Sequence, residues 1–347
     1  MKVALIHLEV GFRGGLETRI RNYLKYFLSI NADITLFYYK MDTSVEIPKH
    51  VKLVNIDVKK IFKPLRIHFF SKKLKKILDP NDYDFSLSMG RTASQFYSIA
   101  ANTHYGHLVS QNKFFKTPID YLTINLDHQA YAISKKIYAC SQMVKDEIIK
   151  YSNVDNKKIE VLFPPLNLSQ FNQDLDKTEL RETFNLNPEV KYYLFVSTSH
   201  KRKGLGLLKK IFKQLNPKKY CLLVAGTSFV SKQENIKSLG FIKDVHLYYR
   251  AVDFLIHPAV YEPFGNIVPE AISCGTPVII SKNTGAKEIL LNENYGVVIN
   301  DYKTDTWVNK IKEIADKDFK IEKNLAEINE LSIEMHMKKM LFFAKLS

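Results

Sequence analysis

The chain has 347 residues, more than one hydrophobic core usually holds, so two domains are expected. Hydrophobic residues make up 46% of it and charged residues 25%, without repeats or biased tracts, which excludes a disordered chain and a solenoid. The formal net charge of +15 indicates an anionic partner.

The positive charge is concentrated in the first half of the chain. Residues 1–165 hold 25 Lys and Arg against 15 Asp and Glu, an excess of ten, and the remainder has an excess of five. Residues 49–76 contribute ten basic side chains and one acid, interleaved with four large apolar side chains: Ile61, Phe62, Phe69 and Phe70. This mixture suits an anionic lipid surface. Nucleic acid would also satisfy the charge, but no zinc spacing, RNP-like strand or recognition helix is present, and a solvated basic face remains the plain alternative.

Cysteine usage and the N-terminus indicate the compartment. The cysteines, Cys140, Cys221 and Cys274, are odd in number, far apart and without metal-ligand spacing, so reduced thiols are expected. The N-terminal apolar run lacks a small-residue cleavage site and is interpreted as a strand, not a signal peptide. No segment approaches the length of a transmembrane helix. We expect a cytoplasmic protein, peripheral on the inner face of the cytoplasmic membrane.

In chain order, the first half alternates short apolar runs with amphipathic stretches, which predicts a parallel sheet wrapped in helices. Strands are predicted at KVALIHL, ADITLFYY, VKLVNI, FSLSM, around Tyr105 to Ser110, KIYACS and EVLF. Helices are predicted near residues 16–30, 69–78, 93–102, 118–134 and 142–151. These elements predict one doubly wound, Rossmann-like domain over residues 1–165.

Pro164 and Pro165 interrupt this pattern, and the alternation restarts after a polar stretch. Strands are predicted at YYLFVS, CLLVAG, SLGFI, VDFLIHP, PVIIS and YGVVIN, with helices at residues 204–215, from Ile267, and at 285–291. They predict a second doubly wound domain over residues 166–330. The amphipathic tail, residues 331–347, is expected to form a helix that packs back onto the first domain. Ligands lie beyond the carboxyl ends of such strands, so the α/β fold predicts a site in a cleft between two lobes.

The segment HPAVYEPFGNIVPEAISCGTPVII predicts a strand end, a loop and a short helix. The helix is expected to begin at Asn266, a good N-cap residue, and to end at Gly275, which can adopt the left-handed conformation that stops a helix. Free amides at the helix start suit a diphosphate, and Gly265 lets the backbone approach a ligand closely. Glu262 and Glu270 can face different hydroxyls of one elongated ligand. Alternatively, they are surface acids that flank a core helix.

This segment closely resembles the signature of the retaining family 4 glycosyltransferases, which has two glutamates separated by seven residues. The resemblance implies the GT-B fold and a nucleotide-diphosphate sugar as donor. It implies that Glu262 contacts the donor sugar and that Glu270 contacts the ribose. The loop amides would hold sugar hydroxyls and phosphate: those of Phe264, Gly265, Asn266 and Ile267.

A basic cluster after the strand YYLFVS supports the resemblance. The family has a glycine and an arginine there, followed by a lysine-glycine pair, and Lys203 with the glycine after it matches the pair. The family arginine is absent, since Thr198 or Ser199 stands in its place, so Arg202 or Lys201 is expected to substitute. Without a metal, the charge of a leaving diphosphate must be met by fixed cations and helix amides. A solvated turn is the alternative interpretation.

Further candidate donor-binding residues are predicted outside this cluster. Gly14 and Gly15 follow the first strand as the family's glycine-rich loop does, although they do not form a Gly-x-Gly-x-x-Gly motif. His104 lies where relatives often have a histidine that touches the donor sugar, and Asn102 lies where some relatives have an aspartate. A purely structural histidine is the alternative. Gly226, at the end of CLLVAG, completes the predicted set.

One motif points away from this assignment. Asp82-Tyr83-Asp84 matches the metal-binding Asp-x-Asp of another glycosyltransferase fold. It precedes the strand FSLSM and so lies at the amino end of the sheet, which is the wrong end for a ligand. We interpret it as a turn and expect no metal cofactor.

The resemblance implies transfer of a hexose from a UDP- or GDP-linked sugar with net retention at the anomeric carbon. No enzyme nucleophile is well placed, so the departing diphosphate is expected to receive the acceptor's proton on the same face. The second domain would bind the nucleotide sugar. The first would bind a glycan or glycolipid acceptor, as in lipopolysaccharide or other envelope glycan synthesis, at an anionic membrane surface and without nucleic acid. Residues 105–136 add basic and aromatic side chains to that surface: Lys113, Phe114, Phe115, Lys116, Tyr121, Lys135 and Lys136.

Two alternatives from other classes remain open at this stage. A nucleotide-sugar epimerase shares the two-lobed fold, but it needs further acid and base residues that the sequence does not locate. A basic protein that binds nucleic acid or membrane without catalysis would explain the charge, but not the segment around Glu262.

Overall fold

The computed structural model describes residues 1–11, 15–111, 113, 115–323 and 329–346. The chain divides into two compact units. The first comprises Met1–Pro165 with Ile333–Ser347, and the second comprises Leu166–Ser332. Each unit is built on its own parallel sheet flanked by helices, so the predicted α/β fold is confirmed.

The first unit contains a sheet whose spatial order is β5-β3-β1-β6-β7-β8-β9, with every pair parallel. A separate two-residue ladder joins β2 to β4. The strands are β1 (Lys2–Ile6), β2 (Glu9–Val10), β3 (Asp33–Tyr38), β4 (Lys40–Met41), β5 (Lys52–Asn55), β6 (Phe85–Ser88), β7 (Tyr97–Ala100), β8 (Lys136–Ala139) and β9 (Ile159–Val161).

Helices cover both faces of this sheet. They are α1 (Gly15–Ser29), α2 (Arg66–Leu74), α3 (His104–Ser110), α4 (Pro118–Ile133) and α5 (Gln142–Ser152), with short 3₁₀ turns at Lys63–Leu65, Pro80–Asp82 and Asn156–Lys158. Alternate residues of a strand point to opposite faces. Val3 and Leu5 of β1 therefore pack in one cluster with α1, whereas Ala4 and Ile6 pack in another with α2. Phe70 belongs to the second cluster and is fully buried, so it is not part of the basic surface on which the sequence suggested it.

The order of elements between residues 93 and 110 was predicted wrongly. A strand, β7, lies where a helix was expected, and helix α3 lies where a strand was expected around Tyr105 to Ser110. The β7 backbone pairs with β6 and β8, and all four of its side chains are buried on the two faces of the sheet. Thr103 then begins the helix, because its side chain accepts a hydrogen bond from the amide of Gly106.

The second unit contains a parallel sheet in the order β12-β11-β10-β13-β14-β15. Its strands are β10 (Lys191–Ser197), β11 (Tyr220–Gly226), β12 (Ile236–Gly240), β13 (Phe254–His257), β14 (Val278–Ser281) and β15 (Gly296–Ile299). Its helices are α6 (Lys177–Thr183), α7 (His200–Lys203), α8 (Leu205–Gln214), α9 (Val245–Ala251), α10 (Ile267–Ser273) and α11 (Thr304–Ile314), with 3₁₀ turns at Gly285–Ile289 and Glu293–Tyr295.

The core of the second unit lies between β10, α8 and α11. Tyr193 and Phe195 of β10 pack against Phe212 of α8 and Trp307 of α11, and all four side chains are fully or almost fully buried. Strand β10 is central in the sheet, and the short helix α7 that follows it carries the basic cluster predicted from the sequence.

The C-terminal segment forms helix α12 (Ile333–Lys345), which packs on the first unit as predicted. His336 is buried, with Nε2 2.6 Å from the Tyr23 hydroxyl of α1 and Nδ1 2.9 Å from the Phe163 carbonyl oxygen. Tyr138 of β8 donates a hydrogen bond to the Met340 carbonyl. Within the described part of the chain, no helix combines the length and apolar character needed to cross a bilayer.

Candidate functional site

The loop that follows β13 is held by backbone hydrogen bonds to the loop that follows β14. The amide of Glu262 donates to the Asn283 carbonyl, and the Glu262 carbonyl accepts from the amide of Gly285. The Phe264 carbonyl accepts from the amide of Ala286. Both loops leave the carboxyl ends of neighbouring parallel strands, which is where ligands bind in such sheets. The backbone around Glu262 is therefore rigidly placed at a binding edge.

Gly265 and Gly275 bracket helix α10 in left-handed conformations, with φ of +97° and +79°. Glycine adopts these angles without strain, so the predicted helix end at Gly275 is confirmed. Asn266 occupies the N-cap position as predicted, but it does not act as a side-chain cap. Asn266 has φ −53° and ψ −29°, which is helical, and its side chain makes no capping hydrogen bond. The left-handed Gly265 turns the chain into the helix instead, and Phe264 before it is buried.

The carboxylate of Glu262 is surrounded by nitrogen-bearing side chains. Its Oε2 lies 3.4 Å from Arg202 Nη1, 3.4 Å from Lys203 Nζ and 3.4 Å from His257 Nε2, and the Glu262 side chain is only 13% exposed. Burial by itself would raise the pKa of this carboxyl, but His257 and the charges of Lys203 and Arg202 outweigh it and lower the pKa to about 2. Complete burial lowers the pKa of His257, so its ring is neutral at physiological pH. Glu262 is therefore ionised and held in place.

The two cations are positioned by the short helix α7 and the glycine after it. Gly204 has φ +92° and separates α7 from α8, and a side chain at this position would overlap the Pro258 carbonyl. The amide of Val260 donates to the Arg202 carbonyl, and Arg202 Nη1 donates to the Tyr261 carbonyl at 2.8 Å. Lys201 is exposed to solvent. Of the two residues considered as substitutes for the family arginine, Arg202 is the one that contacts the Glu262 loop.

Glu270, one turn into α10, has a different environment. Its Oε2 accepts a 3.0 Å hydrogen bond from the hydroxyl of Tyr249, which is fully buried. Burial raises the pKa of the Glu270 carboxyl to about 7, although the Tyr249 hydrogen bond and the charge of Lys203 act in the opposite direction. The Tyr249 backbone is fixed in turn by a hydrogen bond from the Thr276 hydroxyl. The two predicted glutamates therefore differ in charge state near neutral pH.

Gly226 ends β11 beside Ser197, with φ +118°. A Cβ atom there would overlap the Ser197 carbonyl oxygen, so close approach of β10 and β11 explains this glycine without a ligand.

The candidate residues of the first unit form a second polar network. His104 Nε2 lies 2.9 Å from Asp120 Oδ1, and the His104 amide donates to Asp127 Oδ2 at 2.9 Å. Asn102 Oδ1 accepts from Arg91 Nη2 at 2.7 Å, and Arg91 Nε lies 2.7 Å from Asp127 Oδ1. These residues follow the carboxyl ends of β6 and β7 or lie on the facing helix α4. His104 and Asn102 thus belong to one connected cluster of this unit.

The other predicted features are the Gly14–Gly15 pair and the Asp82-Tyr83-Asp84 motif. Gly14 lies outside the described residues, and Gly15 begins helix α1. Asp82 ends a 3₁₀ turn and Asp84 accepts a hydrogen bond from the Lys2 amide, so the Asp-x-Asp motif forms the turn before β6 as interpreted. Among the described residues, no group of three or more His, Cys, Asp or Glu side chains could hold a metal ion.

Several residues of both clusters were not predicted from the sequence. His257 ends the buried strand β13 five residues before Glu262, and Arg91 follows β6, so their position after a strand was an available signal. Asp120 and Asp127 are seven residues apart on one helix, which places them on the same face. Tyr249 had no comparable signal, because its contact with Glu270 depends on how α9 packs against α10.

Comparison with known proteins agrees with this architecture. A model of group 1 glycosyl transferases matches residues 176–331, and a model of glycosyltransferase family 4 matches residues 13–170. A probable transglycosylase of Burkholderia thailandensis is 30% identical over 287 residues, which cover 82% of this chain and 78% of that protein. This chain belongs to the family 4 glycosyltransferases. The glycosyltransferase assignment is thereby favoured over the epimerase and the binding protein without catalysis.

Two solved structures extend the comparison to the whole fold. WaaG, a glycosyltransferase involved in lipopolysaccharide biosynthesis, has a TM-score of 0.76 at 16% identity, covering 96% of this chain and 93% of its own. The Anabaena protein HepE in complex with UDP-glucose has a TM-score of 0.75 at 16% identity, covering 100% of both chains. These likenesses confirm the predicted GT-B fold.

Proposed function

We propose that this glycosyltransferase moves a hexose from a UDP- or GDP-linked sugar to a glycan or glycolipid acceptor, with retention at the anomeric carbon. The observation that carries the proposal is the cluster at the carboxyl edge of the second sheet. There one largely buried carboxylate, Glu262, is shared by Arg202 and Lys203, and Glu270 lies in the first turn of the helix that follows the Glu262 loop. A donor with a sugar, a diphosphate and a ribose needs this combination of carboxylates and cations.

Arg202 and Lys203 are suited to bind the diphosphate. Their nitrogens lie 3.4 Å from Glu262, which is longer than the roughly 2.7–2.9 Å of a tight charge-assisted hydrogen bond. The carboxylate therefore orients both cations without using all of their donor groups. As the sugar leaves, negative charge develops on the diphosphate, and cations already fixed in place stabilise it without reorganisation. We infer that this replaces a metal ion.

The two glutamates have separate roles in this proposal. Glu262, held ionised, accepts hydrogen bonds from sugar hydroxyls, while the amides around Gly265, Asn266 and Ile267 face the sugar and phosphate. Glu270 accepts from the ribose hydroxyls with the oxygen that Tyr249 does not use. Hydroxyl donors favour the ionised form of a carboxyl, so nucleotide binding near pH 7 should release a proton from Glu270.

Retention follows in this scheme from the leaving group. The acceptor hydroxyl attacks the anomeric carbon on the face from which the diphosphate departs, the bond to the diphosphate breaks, and a diphosphate oxygen takes the acceptor's proton. NMR of the product tests this directly: the anomeric proton should keep the configuration of the donor sugar, and an inverted product would exclude the scheme.

Donor identity is tested by thermal shift with UDP-, GDP- and ADP-linked sugars. The UDP-glucose complex of HepE supports a uridine nucleotide. A UDP- or GDP-sugar should raise the melting temperature with EDTA present, and Glu262→Gln should reduce the shift. No shift with any sugar nucleotide would contradict the proposal, and a shift that disappears in EDTA would contradict the absence of a metal requirement.

The acceptor is proposed to lie at an anionic membrane surface, on its cytoplasmic face. The first unit carries most of the excess positive charge, and large apolar side chains stand exposed among its lysines, with Phe62 66% exposed and Phe115 90% exposed. Lys116 lies over the rings of Tyr105 and Tyr121 beside Phe115. WaaG acts in lipopolysaccharide biosynthesis, which supports an envelope glycan as acceptor.

A further inference from the structure

His257 is the last residue of strand β13, and its side chain is fully buried. Its ring lies near that of Phe195 on the neighbouring strand β10, with 6.3 Å between the ring centroids. On the other side, the backbone of His257 pairs with Ile280 of β14. The ring is therefore placed by the interior of the second sheet, at the carboxyl edge from which the Glu262 loop departs.

The two nitrogens of this ring have different surroundings. Nε2 lies 3.4 Å from Oε2 of Glu262, a contact longer than a tight hydrogen bond. Nδ1 is buried and has no hydrogen-bond partner among the described residues. Burial lowers the pKa of His257, although Glu262 acts in the opposite direction, so the ring is neutral and carries a single proton.

That proton belongs on Nε2. The Glu262 carboxylate is ionised and can only accept hydrogen bonds, so an Nε2–H group faces an acceptor. An unprotonated Nε2 would instead direct its lone pair at a negatively charged oxygen. A proton on Nδ1 would also leave a buried N–H donor with no partner in the described part of the chain, which costs free energy. His257 therefore presents a donor to Glu262.

The Glu262 carboxylate is contacted through one of its two oxygens. Arg202, Lys203 and His257 all approach Oε2, each at 3.4 Å. No hydrogen-bond or ion-pair partner of Oε1 occurs among the described residues. The side chain is only 13% exposed, and Gly265 lies so close to its Cγ atom that a Cβ there would be 3.1 Å away. A largely buried, ionised oxygen without a partner indicates that a ligand supplies the donor.

We propose that His257 is a positioning residue that, protonated on Nε2, holds Oε2 of Glu262 so that Oε1 accepts a hydrogen bond from a hydroxyl of the donor sugar. Arg202 and Lys203 approach the same oxygen, but their remaining donor groups serve the diphosphate. The fully buried ring of His257 has no such second task and acts through Glu262. The inference rests on the proposed function for the sugar hydroxyl, whereas the tautomer of His257 does not depend on it.

The tautomer is tested on the unmodified protein. Nitrogen-15 NMR of the full chain labelled at its ten histidines distinguishes Nε2–H from Nδ1–H. The His257 signals are assigned by Overhauser contacts to the Phe195 ring and by their loss in His257→Gln. We expect a neutral Nε2–H ring throughout the range from about pH 6 to 8, because burial keeps the ring uncharged there. A wild-type Nδ1–H tautomer overturns the inference whatever the variants do.

His257→Gln and His257→Leu form a matched pair for ligand binding. The two new side chains are similar in size, but only the glutamine amide can donate to Oε2. Calorimetry compares UDP-glucose with UDP, or GDP-mannose with GDP, whichever pair raises the melting temperature. His257→Leu should weaken binding of the sugar nucleotide about tenfold, the equivalent of one hydrogen bond, and of the nucleoside diphosphate less than about threefold. His257→Gln should retain most of both affinities.

A general packing role for His257 predicts different results. Equal weakening of the sugar nucleotide and the nucleoside diphosphate by His257→Leu, or equal losses in the two His257 variants, would overturn positioning. If His257 acts through Glu262, adding His257→Leu to Glu262→Gln should cause no further loss specific to the sugar, and an additive loss would contradict this. A wild type that binds no sugar nucleotide would instead contradict the proposed function, while the NMR measurement still tests His257.

Discussion

Lys203 Nζ and Arg202 Nη1 approach the same oxygen of Glu262, each at 3.4 Å. Both cations belong to one turn of helix α7, and the carboxylate belongs to a loop about sixty residues further along the chain. The pairing keeps two positive charges together at the edge of the sheet, where they would otherwise repel each other or extend into solvent. A diphosphate that bound here would contact two cations that are already held in position.

The first prediction concerns this pairing. Lys203→Met should lower kcat for sugar transfer about 100-fold or more, because a fixed charge on the leaving diphosphate is lost at the point where negative charge develops. Steady-state kinetics with the donor identified by thermal shift provide the measurement. Lys201→Met is the matched control, since Lys201 is two residues away and exposed, and it should retain nearly full activity. Equal losses in the two variants would show that Lys203 has no special role.

The second prediction concerns pH and Glu270. The folded protein holds the proton of Glu270 up to about pH 7, whereas the unfolded chain releases it near 4.5. Because the native state binds more protons in this window, Glu270 lowers stability progressively as pH rises from 4.5 to 7. Glu270→Gln removes this cost, so it should be more stable than the wild type by about 1–3 kcal/mol at pH 8 and by little at pH 4.5.

Glu262→Gln should change the pH dependence of stability in the opposite direction. The Glu262 pKa is depressed from 4.5 to about 2, so its ionised form stabilises the protein above pH 4.5, and that contribution is lost as pH falls toward 2. The variant should therefore be less stable than the wild type at pH 7. The difference in stability between the variant and the wild type should become smaller as the pH falls. Denaturant unfolding across pH measures both variants, and parallel pH profiles would contradict the assigned environments.

The third prediction compares two glycines two residues apart. Gly204→Ala should destabilise the protein by about 1–3 kcal/mol, because alanine is strained at φ +92° and its Cβ would overlap the Pro258 carbonyl. Gly206→Ala should stabilise it by about 0.5 kcal/mol, because Gly206 is helical and a Cβ there meets nothing within 4 Å. Chemical denaturation of both variants measures the change in the free energy of unfolding. Destabilisation by Gly206→Ala would contradict the packing described.

The fourth prediction concerns the membrane surface. The full chain should float with vesicles that contain anionic lipid and remain unbound with zwitterionic vesicles. Reversing Lys72, Lys75 and Lys76 to Glu should weaken binding about 100-fold or more, since each basic residue contributes about 1 kcal/mol near such a surface. All three side chains are exposed on or just after α2.

Reversing Lys210, Lys213 and Lys218 in the second unit provides the control for net charge. These lysines are also exposed, and the change in total charge is the same. Binding should fall much less than with the first triple variant. Equal weakening would mean that overall charge, and not the surface of the first unit, drives the association.

Much of the fold could be predicted because hydrophobic periodicity is a local property. The apolar runs at residues 2–6, 33–38, 191–197 and 220–226 predict buried strands, and the structure has strands at all four. The prediction for residues 93–110 was wrong because a four-residue strand and a seven-residue helix are too short for hydrophobic periodicity to distinguish them. Strand β7 forms there because the segment pairs between β6 and β8, and α3 begins where it does because Thr103 caps it.

The sequence by itself determined the two-unit α/β fold, the glutamate pair at positions 262 and 270 and the lysine-glycine step after β10, because these are encoded in the order and spacing of residues. Only the tertiary structure decided that Arg202 and not Lys201 reaches Glu262, that Glu270 is buried and accepts a hydrogen bond from Tyr249, and that Asp120 contacts His104. Each of these depends on the relative rotation and packing of separate helices and loops. Contacts of that kind change with small shifts of a backbone, and no local pattern in the chain specifies them.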